Sequence, residues 1–250
     1  APGGVYITSE QTMVSNAMQS SVRRRFADDY GLAFHYTYSR GYAEQGGSLA
    51  SNFVNSDYFV TQDFFDPFHD RNPLSQEARH RISVDGLYQI PSFTEGWLSH
   101  VLGGWQISGV VQARSGVPLR VTQPSGISQS RPDLIGDNPV LDHYRDTLMY
   151  LDRSQFALVP TSPITNATLR AGTANPGDIR GPGQFLVNAS IVKGFRLSEQ
   201  VRLDVRLDAF NAINRVNYNN PTTNIASPDF GRILSAQPMR TAQLGARLSF

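Results

Sequence analysis

Val201-Arg202-Leu203-Asp204-Val205-Arg206-Leu207-Asp208-Ala209 is apolar at every odd position and charged at every even one. A helix would scatter both kinds of residue all round its circumference. A strand sorts them onto two faces, one apolar and one charged. The end of the chain repeats the pattern: Ala242, Leu244, Ala246, Leu248 and Phe250 alternate with Thr241, Gln243, Gly245, Arg247 and Ser249. Upstream it recurs with more noise in Phe185–Ile191, Trp105–Arg114, Arg81–Ile90 and Tyr30–Ser39. It is weakest around Met18, Ser20, Val22 and Phe26, where Arg24 breaks the apolar face. Seven strands are predicted, near 14–26, 30–42, 79–91, 104–117, 184–196, 200–213 and 240–250. Each is about 11–14 residues, long for a globular strand and right for a tilted membrane-spanning one.

The connections are unequal in a regular way. Ala27-Asp28-Asp29, the stretch 92–103 and Leu197-Ser198-Glu199 are short or fairly short, whereas 43–78, 118–183 and 214–239 are long. Strict alternation of short and long has no cause in a β-sandwich. An outer-membrane barrel produces it, with short periplasmic turns and long extracellular loops. Unstructured connections of this length are otherwise rare. All three long stretches read as irregular and polar. The first holds Gln45-Gly46-Gly47-Ser48 and an aromatic, acidic run to Asp70; the second is proline-rich, with a short helix expected near Asp152–Phe156.

Composition narrows the class further. Of 250 residues 40% are apolar and only 17% charged, with 21 Gly, 14 Phe, 10 Tyr and 2 Trp. That balance suits neither a disordered tail nor a soluble helical enzyme. A net charge of +1 supplies no global field, and no basic–aromatic interleaving or phosphate-cradling glycine loop is present. No nucleic-acid partner is expected. The absence of Cys removes disulfides, thiolate zinc sites and a cysteine nucleophile; Lys193 is the only lysine. No apolar run approaches the ~20 residues of a membrane helix, and the mean hydropathy is negative. A helical membrane protein is excluded, but a barrel, whose strands average out as polar, is not. Ala1-Pro2-Gly3-Gly4-Val5 carries no signal-peptide pattern, so the expectation is a processed chain or one that begins partway through a longer protein.

Three stretches carry a resemblance: Asp208-Ala209-Phe210-Asn211-Ala212-Ile213-Asn214, Pro228-Asp229-Phe230-Gly231-Arg232-Ile233 and the final Leu248-Ser249-Phe250. Together they resemble the C-terminal end of TonB-dependent outer-membrane receptors, closest to the Oar-like subgroup with a carboxypeptidase-regulatory-like N-terminal domain. His80-Arg81-Ile82-Ser83-Val84 and Gly104-Trp105-Gln106-Ile107-Ser108-Gly109 sit where such receptors carry them. The resemblance spans roughly 14–250. It implies an all-β, antiparallel transmembrane β-barrel segment, about seven or eight strands of a larger, 22-stranded barrel around a plugged lumen, with long extracellular loops. Val5-Tyr6-Ile7-Thr8 would supply the end of an eighth strand. Plug and N-terminal domains have no counterpart, so residues 1–250 are expected to be the C-terminal part of the barrel domain. Phe250, by the same resemblance, is the signal read by the barrel-assembly machinery. The energy-coupling TonB complex would act through the missing plug, and the ligand would be a small, scarce nutrient.

Arg202, Asp204, Arg206 and Asp208 form a ladder about 6.5–7 Å apart on one strand face, and Arg247 and Arg114 are candidates to join it. Such a wall either lines a lumen, contacting a plug or steering an anionic substrate, or neutralises itself across strands. The histidines, His35, His69, His80, His100 and His143, show no ligand spacing, and Asp57, Asp63, Asp66 and Asp70 lack the pattern of a calcium loop. No metal or other cofactor is expected. Gly-x-Ser-x-Gly is absent, and no catalysis is expected. Tyr30, Tyr36, Tyr38, Tyr88, Trp97, Trp105, Phe195 and Phe250 fall near strand ends, as an interfacial girdle facing outer-membrane lipid would. The rival readings are a non-transport outer-membrane barrel with adhesive or assembling loops, and a soluble β-rich carbohydrate-binding module.

Overall fold

The computed structural model describes residues 13–44, 71–74, 76–91, 103–125 and 130–250. Its strands are β1 (Met13–Ala27), β2 (Tyr30–Glu44), β3 (Arg71–Pro73), β4 (His80–Gln89), β5 (Trp105–Arg114), β6 (Asp133–Leu134), β7 (Phe156–Ala157), β8 (Gln184–Arg196), β9 (Arg202–Phe210) and β10 (Thr241–Ser249). The seven long ones form one antiparallel meander, β1-β2-β4-β5-β8-β9-β10, in chain order. Short β3 extends the β2 edge beyond β4, pairing Tyr42 with Pro73 and Glu44 with Arg71. β6 and β7 make a separate two-stranded ribbon. Among the described residues no helix is long and apolar enough to cross a membrane.

The predicted strands are all present, with ends moved by a few residues. The 200–213 strand stops at Phe210 because Asn211 takes a left-handed conformation (φ 50°), which a strand cannot continue through. The 104–117 strand stops at Arg114. The weak first strand is regular to Arg24, after which its register shifts before Ala27. Arg24, on the apolar face, stacks its guanidinium 3.9 Å from the Tyr30 ring and pairs with Asp28 at 3.0 Å. Its charge is thereby carried to the water-facing turn. The helix expected near 152–156 is a 3-10 turn, Arg153–Gln155, capped by the Asp152 carboxylate, which accepts from the Ser154 amide. A four-residue helix α1 (Tyr144–Thr147) was not foreseen.

Register fixes which connections share an end. Ala27 opposite Tyr30, Gln89 opposite Gln106 and Arg196 opposite Arg202 place the three shorter turns together. Tyr38 opposite His80, Arg114 opposite Gln184 and Phe210 opposite Thr241 place the three long connections at the other end. Register also aligns the faces. One face carries Val22, Phe34, Val84, Val111 and Val187 in a continuous row, with Ile191, Leu207 and Leu244 beside it. Among the described residues no second layer covers these side chains: Val22 is 68% and Leu244 75% exposed.

The buried core lies elsewhere. Leu119, Val121, Tyr150, Leu151, Phe156, Ala174, Ile179, Ile225, Phe230 and Ile233 pack together in the second and third long connections. The expectation of irregular, polar loops is therefore corrected for 118–183 and 214–239. Their apolar residues converge without periodicity, and backbone bonds stitch the two segments together. Thr122 donates to Thr223, Ile225 to Thr122, Tyr150 to Gly231 and Ile233 to Leu148. The result is a packed cap at one end of the sheet.

Candidate functional site

The sheet face opposite the apolar row is polar. Among its register-paired residues arginine stands at Arg23, Arg81, Arg114, Arg196, Arg202, Arg206 and Arg247, and aspartate only at Asp85, Asp204 and Asp208. The near-neutral chain thus concentrates positive charge on one surface. A groove of about 620 Å³ runs along it, lined by Arg23 of β1 and Gln243 of β10 among others. Strands at opposite edges of the meander line one groove, so the sheet curls round its polar face. β1 and β10 do not pair with each other among the described residues.

The predicted ladder is present and partly self-neutralised. Arg202 donates through Nε to Asp204 at 2.8 Å, and Arg206 to Asp208 at 2.7 Å. Arg247 sits opposite Asp204. Arg114 shares the face but not the neighbourhood. It lies at the cap end of β5, opposite Arg81, and lines a different cavity of about 410 Å³ with His35, Arg81, Gln112 and Gln184. Phe250 follows β10 and is 97% exposed.

Most aromatic residues of the apolar face take two levels, with Phe34 between them. Tyr30, Tyr88, Trp105 and Phe195 lie near the shorter turns; Tyr36, Tyr38 and Phe185 lie near the cap. His80 joins the upper level, bonded to the Tyr36 hydroxyl at 2.9 Å and packed on the Tyr38 ring. Lys193 is the single lysine of the sequence. It projects from this same apolar face, buried between the Trp105 and Phe195 rings with Nζ donating to the Gly103 carbonyl. An isolated ammonium facing hydrocarbon is costly. The rings and carbonyl shield this one, near the end of the strand. Trp97, His69, His100, Val5–Thr8 and the acidic run Asp57, Asp63, Asp66 and Asp70 lie outside the described residues. Among the described residues no three His, Asp or Glu side chains converge as a metal site.

The two internal motifs prove to be joints of the cap. Asn211 is buried and turned: its Nδ2 donates to the Arg215 carbonyl at 2.9 Å and its Oδ1 accepts from the Arg215 amide at 3.0 Å. Asn214, also left-handed, accepts from the Arg240 amide. Together they pinch the base of the last connection shut. Phe230 enters the core, edge-on to Phe156 with ring centroids 5.5 Å apart. Gly231 has φ +78°, and a Cβ there would collide with the Leu151 carbonyl. Glycine is required on both counts.

Where cap meets sheet, the buried Glu77 carboxylate accepts from the Gly41 amide at 2.8 Å and pairs with Arg180 at 3.2 Å. Burial lowers the Arg180 guanidinium from its usual range, without approaching neutrality. Arg180 also donates to the Glu77 and Gly116 carbonyls, and its own carbonyl accepts from the Tyr150 hydroxyl at 2.6 Å. Burial pushes that phenol up to about 12.

A family model described as an outer membrane beta barrel domain matches residues 4–243. The chain belongs to the outer membrane beta barrel domain family. No curated protein and no solved structure matches it. It is accordingly an all-β protein of the outer membrane. The uncovered apolar face is the surface a barrel gives to lipid, and the two aromatic levels mark its water boundaries.

Proposed function

We propose that this barrel domain is part of a TonB-dependent outer-membrane receptor that binds and imports a scarce nutrient. The observation that carries the proposal is the open polar wall. A closed barrel of about eight strands has an interior that its own side chains fill or that holds at most one small ligand. Here seven strands curl round a groove, and Arg202 and Arg206 remain mostly exposed. Such a wall fits a lumen wide enough for a plug and a solute. The motifs at 208–214, 228–233 and 248–250 support the same reading by resemblance. On this reading the chain performs no catalysis and holds no cofactor; its partners are lipid, the barrel-assembly machinery and the energy-coupling complex.

The test is growth and uptake of the source strain on limiting ferric chelates, cobalamin and oligosaccharides. Wild type, a deletion of the full-length gene and a strain lacking the energy-coupling complex would be compared. The reading expects one nutrient whose uptake needs both the protein and energy coupling. Unchanged uptake of every nutrient with weakened cell–surface attachment would favour an adhesive barrel instead.

A further inference from the structure

We infer that the cap end of the polar wall holds an oxyanion site built on Arg81 and Arg114, which takes a phosphate or carboxylate group of the imported solute; this rests on the import reading. The two arginines are direct cross-strand partners, so their Cβ atoms stand about 5 Å apart on the same face. Like charges in that position repel and destabilise a sheet unless an anion or water separates them. Elsewhere on the wall each cluster of arginine has its aspartate. Arg196 is also opposite Arg202, but Arg202 is bonded to Asp204. The 620 Å³ groove sets Arg23 and Arg206 beside Asp85 and Asp208, and Arg24, which also lines it, is paired with Asp28.

Among the described residues the 410 Å³ cavity around Arg81 and Arg114 has no carboxylate in its lining. Among the described residues neither arginine makes an ion pair. Arg81 donates to the Gln76 carbonyl at 3.3 Å and Arg114 to the Gln184 amide oxygen at 3.0 Å. A guanidinium has five N–H donors, so both have donors to spare. Thr37, Ser83 and Gln112 add neutral polar groups to the same lining. Two forked guanidinium groups on a fixed sheet register suit a planar or tetrahedral oxyanion better than a halide. The site lies at the mouth nearest the long connections, where a solute arriving from outside would first meet the wall.

The experiment uses the full-length protein in a maltoside detergent with inorganic phosphate as probe, at constant ionic strength in chloride. Phosphorus-31 line broadening is titrated for wild type, Arg81→Gln, Arg114→Gln and the control Arg145→Gln in the cap. Saturable broadening is expected in wild type and in Arg145→Gln, with affinity at least ~10-fold lower in each of the other two, the loss of one charge-assisted contact. Heat-modifiable barrel is quantified for each variant to exclude misfolding. No broadening in wild type, or equal broadening in all four, overturns the site. If phosphate does not bind, yet either Arg→Gln change lowers barrel stability, the counter-charge is a carboxylate of the protein itself and the solute assignment falls. Energy-dependent uptake measured on the same variants separates the two readings. Uptake unaffected by Arg81→Gln and Arg114→Gln would remove the site and leave import standing. Phosphate binding without any energy-dependent uptake would do the reverse.

Discussion

Leu244 in the sheet is 75% exposed and Leu151 in the cap 0%. Both are leucines, and they obey opposite rules. In the cap, apolar side chains turn inward, as water demands. In the sheet they turn outward in a continuous row with no second layer among the described residues, and the charges turn in. One chain therefore reads its surroundings as water at one end and as hydrocarbon along the strands. The difference shows that burial within the protein is not what holds the strands together. Their backbone ladder does, with lipid taking the place of a second layer.

The comparison can be broken by mutating one side at a time. Leu151→Ala removes a fully enclosed side chain and should destabilise the cap by about 2–5 kcal/mol. Hydrogen exchange should show faster opening of 117–183 and 211–240, with β8 and β9 still protected. Loss of protection in the sheet as well would mean that cap and sheet unfold as one unit.

Leu207→Arg places a charge on the outward face and should cost about 2–4 kcal/mol if that face lies near mid-bilayer. Urea unfolding in lipid vesicles measures it, with Arg206→Leu on the other face as the matched change. Equal costs would contradict the assignment of faces.

Glu77→Gln sits on the boundary between the two regions. It leaves Arg180 buried without its counter-charge, and a loss of roughly 1–3 kcal/mol is expected, below the range for a wholly enclosed pair because Arg180 keeps some solvent contact. Proteolytic nicking of the long connections should report it before any loss of heat-modifiable barrel.

The smallest effect belongs to Asp133 in the cap, which Arg170 contacts at 2.8 Å and 2.5 Å. The Arg170 guanidinium holds this carboxyl below its ordinary range. A depressed folded value means the stabilisation is present above the unfolded value near 4 and fades as pH falls through the folded one. Since Arg170 is half-exposed, solvent screening limits the effect to under about 1 kcal/mol. Asp133→Asn should therefore weaken the cap at pH 7, and the difference should shrink as pH falls below the unfolded value. A difference that does not shrink with falling pH would assign the effect to lost hydrogen bonds.

What could be read from the sequence follows from the same contrast. The strands were legible because lipid on one side and water on the other impose a strict period of two, clearest from Val201 to Ala209. The Arg24 irregularity blurred β1 only because its partners, Asp28 and Tyr30, lie across the turn. The cap was not legible. Leu119, Val121, Leu151, Ile179 and Phe230 are scattered singly among prolines, glycines and polar residues, and their meeting depends on contacts between two distant segments. For the same reason the Glu77–Arg180 pair, 103 residues apart, left no local signal. The Arg202–Asp208 ladder was visible as spacing on one strand, whereas the Arg81–Arg114 pairing needed the register between two.

The most direct test of the outward apolar face exploits the absence of cysteine from the chain. Single cysteines at each position from 202 to 209, in the full-length protein held in lipid vesicles with any cysteine outside residues 1–250 replaced, would carry spin labels probed by oxygen and by a water-soluble nickel chelate. Labels at Leu203, Val205, Leu207 and Ala209 should collide mainly with oxygen, and those at Arg202, Asp204, Arg206 and Asp208 mainly with the chelate. The opposite phase, or collision frequencies without a period of two, would contradict the account.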